Sequence, residues 1–294
     1  MKKLLIIVFA LVATNVSAQY YAGISGGFAM PAATTLMGTE ISGTTLTTEY
    51  GSFGEGMNFS VHAGYFFNDK FGVELKAGYL HGSDQVRDTY RTYFNSGSTT
   101  LTSETLDAIG YARVFRVAPT LVYNITDKIY GKFGAMVPVS GKTGAELKRS
   151  VSTPFGPVVA QGEADFKGKF GVGVTGTLGY KYSLGNNLNL FAEVEYIGLS
   201  IDRNTSEFTA LTIKTPVVPA NALGVGHPGF AAYTWNLGSG PYVHPVFGTL
   251  YAPTETTYVD TLPTTNTDPS KVLGETAPYS SFGINFGITY TFGK

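Results

Sequence analysis

The chain has no cysteine, which excludes a disulfide framework, thiol chemistry and the modified cysteine of a lipoprotein anchor. It has little charge. Only 14% of its residues are Asp, Glu, Lys or Arg, 20 basic against 21 acidic, so there is no basic footprint for nucleic acid. Nor does it hold an apolar run of the ~20 residues that a membrane-spanning helix needs. Its main apolar run, Leu4 to Val12, follows the basic start Met1-Lys2-Lys3 and precedes the small-residue site Val16-Ser17-Ala18. That order is the pattern of an export signal, so residues 1–18 read as a cleaved leader and 19–294 as the mature chain.

What the chain has in quantity is glycine and aromatic residues: 37 Gly, 19 Tyr and 20 Phe. This composition suits short β-strands with aromatic belts rather than helices. The end of the chain shows the pattern most clearly. Phe282, Ile284, Phe286, Ile288, Tyr290 and Phe292 alternate with Gly283, Asn285, Gly287, Thr289 and Thr291, which makes a strand apolar on one face and polar on the other. After an export signal, the apolar face is expected to turn outward to lipid. An alternating, aromatic-ended last strand resembles the C-terminal signature of bacterial outer-membrane β-barrels, which the barrel-assembly machinery reads, although Gly293 and Lys294 follow the aromatic here.

Three earlier segments read as tight hairpins: Val61–Tyr79 turning at Asn68-Asp69-Lys70, Thr120–Ala135 turning at Thr126-Asp127-Lys128, and Thr177–Tyr196 turning at Gly185-Asn186-Asn187. Opposed residues of an antiparallel pair share a face, so turn length and alternation must agree. With three-residue turns, Phe67 opposes Phe71, Ile125 opposes Ile129 and Leu184 opposes Leu188, and each apolar set stays on one side. Met57, Tyr111 to Pro119 and Phe170 to Val174 lead into the three hairpins, whose six strands with Tyr20–Ala29 and the last strand make eight. Long connections are expected at 30–56, 82–108, 140–169 and 201–278. The whole mature chain thereby resembles the eight-stranded OmpA/OmpX/OmpW class. The resemblance implies an all-β, antiparallel, up-and-down transmembrane barrel with short periplasmic turns, long extracellular loops and both termini in the periplasm. A soluble lipocalin-like barrel, or a ten-stranded barrel if 201–278 supplies another hairpin, are the rival architectures.

If the apolar set faces lipid, the other set faces the lumen: His62, Glu74, Lys76, Arg116, Lys132, Lys181, Glu193 and Glu195. Small barrels are filled by their own side chains, so these charges are expected to pair. Glu193 lies opposite Gly179 and Glu195 opposite Thr177, which leaves room for the acids to reach Lys132, Lys181 or Arg116. The outcome would be a salt-bridged, closed lumen; a proton path or ion channel is the alternative. A lumen for hydrophobic ligands would need apolar lining, and the alternation does not show one.

Other chemistry is thin. His81-Gly82-Ser83 has the His-x-Ser spacing of lipid A deacylases but no acid partner, His227-Pro228 and His244-Pro245 lie 17 residues apart without nearby acids, and Asp260-Thr261-Leu262 resembles an O-glycosylation site. No catalytic residue, metal or cofactor is expected. The segment 201–278 holds nine of the 14 prolines and the only tryptophan, Trp235, a composition suited to a folded, aromatic-bearing cap. The expected protein is an outer-membrane scaffold, not an enzyme, that displays loops to a protein or glycan ligand and contacts outer-membrane lipids and lipopolysaccharide. No nucleic-acid partner is expected. The alternatives are a small passive channel and, more remotely, a lipid-modifying hydrolase. No peptidoglycan-binding domain is expected after the barrel.

Overall fold

Alternation of one large apolar residue with one small or polar residue sets the regular structure, and every regular element of the described residues is a strand. The computed structural model describes residues 19–32, 35–42, 45–94 and 101–292; the expected leader lies outside them. Eight strands pair in succession: β1 (Gln19–Pro31), β2 (Gly56–Phe66), β3 (Phe71–Gly82), β4 (Leu101–Asn124), β5 (Ile129–Val151), β6 (Gly173–Gly185), β7 (Leu188–Gly198) and β8 (Ser281–Phe292). Each is antiparallel to the next, and β8 pairs with β1, from Tyr20 opposite Phe292 to Pro31 opposite Ser281, so the pairing closes on itself. This ring is part of a larger sheet of 16 strands.

The turns at one end are tight. The Phe67 amide donates to the Phe71 carbonyl at 2.9 Å and the Ile125 amide to that of Ile129 at 2.9 Å, the three-residue loops expected from the alternation. Asn68 Oδ1 accepts from the amides of Lys70 and Phe71, holding the first turn from within. The third turn differs from expectation. Leu188 pairs with Gly185 across a register shift, and Asn186 and Asn187 both take positive φ, 51° and 64°. This is a two-residue turn with a bulge, a geometry that Asn tolerates better than most residues.

The other end departs most from the sequence reading. β4 and β5 run 24 and 23 residues, about 80 Å at ~3.4 Å per residue, where a spanning strand needs only ~9–11. Their far halves continue as a paired ribbon up to Glu104 opposite Val151. The expected connections at 30–56, 82–108, 140–169 and 201–278 therefore contain strands of their own. Thr35–Ser42 pairs with Thr45–Gly51, and Gln85–Val86 and Thr89–Phe94 line the edge of β4. Val158–Gly168 pairs with both β5 and the 16-residue strand Ser200–Thr215. That last strand carries Tyr233–Asn236, Glu255–Val259 and Thr276–Pro278. The strand expected from Phe170 begins only at Gly173.

Two cores result. One fills the loop-side half of the ring: Leu80, Val114, Met136 and Ile197 from the wall meet Phe53 and Tyr279 from the connections. The second lies in the 200–278 region, where Trp235 is buried against Leu211 and Leu250, with Phe208, Tyr233 and Tyr242 packed around them. The Trp235 indole donates to the Gly240 carbonyl at 2.6 Å, and Tyr233 stacks on Tyr242 with centroids 4.0 Å apart.

Candidate functional site

Inside the ring, alternation places Glu74 and Lys76 of β3, Arg116 of β4, Lys132 of β5 and Glu193 and Glu195 of β7 on the inner face, and all six are buried. Lys132 sits at the centre. Its Nζ is 2.9 Å from Glu74 Oε1 and 2.6 Å from Glu193 Oε1. Lys76 pairs with Glu195 at 2.9 Å, and the second oxygen of Glu195 accepts from Asn285 at 3.0 Å. With Arg116 against this group, the inner layer holds three bases and three acids, so no net field is left to draw ions of one sign.

Two tyrosines complete the arrangement in the same way. Tyr21 lies opposite Gly64, and Gly64 opposite Glu74; the Tyr21 ring covers the glycine and its hydroxyl donates to Glu74 Oε2 at 3.0 Å. Tyr130 lies opposite Gly179, and Gly179 opposite Glu193; the ring covers that glycine and its hydroxyl donates to Glu193 at 2.8 Å. A side chain at either glycine would occupy the space of the ring. Each acid is thereby held by one tyrosine and by Lys132. Removing a buried charge from water is costly unless pairs and hydrogen bonds satisfy it, and these contacts supply both.

Of the luminal set expected from the sequence, the structure brings Glu74, Lys76, Lys132, Glu193 and Glu195 into ion pairs, and places the rest differently. Arg116 makes no ion pair within 4 Å among the described residues; its side chain lies beside Gly78, the residue opposite it on β3. Lys181 stands at the tight-turn mouth, where its Nζ contacts Asn124 Oδ1 at 3.4 Å rather than an acid. His62 is buried opposite Lys76, with a ring nitrogen 3.2 Å from Thr289 Oγ1. The sequence reading does not single out Tyr21, Tyr130, Asn285 or Thr175, whose hydroxyl donates to Glu195 Oε1 at 3.4 Å. Their signal was present in the alternation, but a tyrosine reads as belt material unless the glycine beside it is noticed.

The two ends of the lumen differ. On the tight-turn side a cavity of about 490 Å³, lined by Tyr21, His62, Lys132, Lys181, Phe191 and Thr289, opens outward and stops at the charged layer. On the loop side the lumen is apolar and filled, although the alternation does not show an apolar lining there. The Phe53 amide donates to the Pro278 carbonyl at 2.9 Å, Phe53 packs on Tyr279 at 5.7 Å, and Tyr279 hydrogen-bonds Thr143. The connections before β2 and before β8 thus close this end. Nothing in the local pattern signals this closure, because Ser52-Phe53-Gly54 reads as loop.

The remaining motifs do not assemble. His81 turns to the outer face beside Tyr79, and among the described residues no hydrogen bond joins it to Ser83, whose amide donates to the Glu55 carbonyl. Phe230 lies between His227 and His244, and His244 Nδ1 accepts from the amides of Val246 and Phe247, with its ionisation lowered by desolvation. No group of three metal-ligating side chains occurs among the described residues.

The outer face of the ring is apolar. Ile24, Val61, Leu75, Leu121, Phe133, Leu178, Val194 and Ile288 are exposed. At the tight-turn end Tyr20 packs on Tyr65 and Phe71 on Tyr123, both with centroids 4.9 Å apart, and at the loop end Tyr79 packs on Phe115 at 4.7 Å.

No family model matches the chain, and no curated protein matches it. Among solved structures it is similar to the attachment invasion locus protein Ail of Yersinia pestis, crystallised with the heparin analogue sucrose octasulfate (9% identity, 94% of this chain and 97% of that one, TM-score 0.28). A major outer membrane protein of Thermus thermophilus (11%, 94% and 100%, TM-score 0.29) and the toluene transporter TodX of P. putida (10%, 97% and 94%, TM-score 0.23) are similar in the same degree.

Proposed function

We propose that this chain is an integral outer-membrane protein, an eight-stranded barrel with a closed lumen, whose role is to hold a folded lobe outside the cell as a surface for protein or glycan contact. The observation that carries the reading is the outer face. Phe71 and Tyr79 on β3, and Phe115 and Tyr123 on β4, stand eight residues apart with aliphatic residues between. At ~3.4 Å per residue and a strand tilt of ~40°, that spacing corresponds to a band about 20 Å high between two aromatic girdles, close to the hydrocarbon band of bacterial barrels. In water such a face would be an aggregation surface; against lipid it is matched.

The tight turns are then periplasmic and the β4–β5 ribbon with the 200–278 lobe extracellular. The lobe has its own apolar core around Trp235, which suits a rigid display surface better than a mobile loop. The lumen is blocked twice, by the ion-paired layer and by the Phe53–Tyr279 closure, and a scaffold without catalytic activity fits both. Purified protein in planar bilayers tests this directly: insertion without steady conductance is expected, and a steady current would replace the scaffold with a passive channel.

A further inference from the structure

The wall of the ring is interrupted between β5 and β6. β5 pairs with β6 up to Met136 opposite Gly173, and pairs with Val158–Gly168 only from Thr143 opposite Phe166. Between these points its other edge stays paired to β4, from Val137 opposite Val117 to Lys142 opposite Arg113. Residues 169–172 leave the wall, where the Lys169 amide donates to the Asp202 carbonyl at 2.7 Å. A cavity of about 190 Å³ fills the gap and runs from Val114, Ala277 and Tyr279 on the inside to Val139 and Phe170 on the outside.

Three features give this gap a chemistry. Its outer mouth is apolar: Phe170 is 81% exposed and Val139 59% exposed, and Val172, two residues beyond Phe170 in the chain, is exposed to the same degree as Val139. Its remaining charged lining is Lys142, Lys167, Lys169 and Arg203, with no carboxylate among the described residues that line it. Its depth matches the membrane edge, since Val139 is the eleventh residue of β5 counted from Ile129 and a spanning strand uses ~9–11 residues. Apolar residues therefore meet the outer end of the acyl region and lysines meet the headgroups.

Resting on the outer-membrane reading above, we infer that the gap between β5 and β6 is a binding site for an anionic lipid of the surrounding bilayer, with the acyl chain against Val139 and Phe170 and the headgroup on Lys142 and Lys169. The acids now paired to these lysines do not prevent it. Lys142–Asp165 and Lys169–Asp260 are surface pairs at 2.9 and 2.7 Å, and exchange of such pairs for another anion costs little.

The absence of cysteine makes the test simple. A bimane label on Val172→Cys reports the gap and one on Leu121→Cys reports the open outer face, in phosphatidylcholine vesicles carrying nitroxide-labelled phosphatidylglycerol or nitroxide-labelled phosphatidylcholine. At position 172, half-maximal quenching is expected at a lower fraction of the anionic lipid, by about fivefold for each lysine contact, the ratio that corresponds to ~1 kcal/mol. Lys142→Gln with Lys169→Gln should remove the preference, and Lys148→Gln should keep it. Equal quenching by the two lipids at position 172, or a preference that survives the double substitution, would overturn the site. Absence of quenching at position 121 would instead overturn the membrane reading itself.

Discussion

The Tyr130 hydroxyl donates to Glu193 at 2.8 Å across a glycine, Gly179, that stands opposite both residues in the sheet. Tyr21, Gly64 and Glu74 repeat the arrangement on the far side of the lumen, and both acids meet Lys132. The glycines are as much part of this layer as the charges, because they admit the rings that carry the hydroxyls.

Gly179→Ala should therefore destabilise the folded protein by ~1–3 kcal/mol, the usual cost of forcing atoms into a filled interior. Gly176→Ala, where an added carbon meets nothing within 4 Å, should be nearly neutral. Denaturant unfolding of the two variants in detergent checks this, and equal midpoints would mean that the ring does not depend on the glycine.

Lys132→Met should be the most damaging single change in the lumen, at ~3–5 kcal/mol or more, because it orphans two buried carboxylates at once. Glu193→Gln should cost less, since Lys132 keeps Glu74 at 2.9 Å. Lys142→Gln, at an exposed pair, should fall within ~0–1 kcal/mol. Unfolding midpoints in that order support the ion-paired layer; indistinguishable values for Lys132→Met and Lys142→Gln contradict it.

On the last strand, Ile288 faces outward and Thr289 lines the open cavity of about 490 Å³. Ile288→Arg should lower the yield of folding into lipid vesicles, given a cost of ~2–4 kcal/mol for a lipid-facing arginine near the midplane. Thr289→Arg has water and room and should fold well. Matching yields would reverse or abolish the inside and outside assignment.

Thermolysin added to intact cells should cut near Leu223 and Val225, which are exposed in a turn outside the strands, and leave the turns at 67–70 and 125–128 intact. Mass spectrometry of the released peptides reads the sites. Cleavage beside Phe71 or Ile125 in intact cells would invert the topology.

Much of the wall was legible in the sequence because alternation with a period of two has only one face-consistent register per hairpin. Phe67 opposite Phe71 and Ile125 opposite Ile129 follow from the apolar pattern and turn length alone. The inward placement of Glu74, Lys132 and Glu193 follows from the same parity, which fixes the side of the sheet on which a residue lies. Parity does not fix what a side chain reaches across the lumen. Lys132 took two acids while Arg116 and Lys181 took none among the described residues, a choice made by strand height and by the space above Gly64 and Gly179. The loop-side closure by Phe53 and Tyr279, the ribbon of β4 and β5 beyond the ring, the Trp235 core and the gap beside Val139 were decided only in three dimensions. The closure and the gap depend on contacts between segments far apart in the chain, as with Phe53 and Pro278. The local pattern there is irregular, so only packing against the rest of the molecule selects one arrangement.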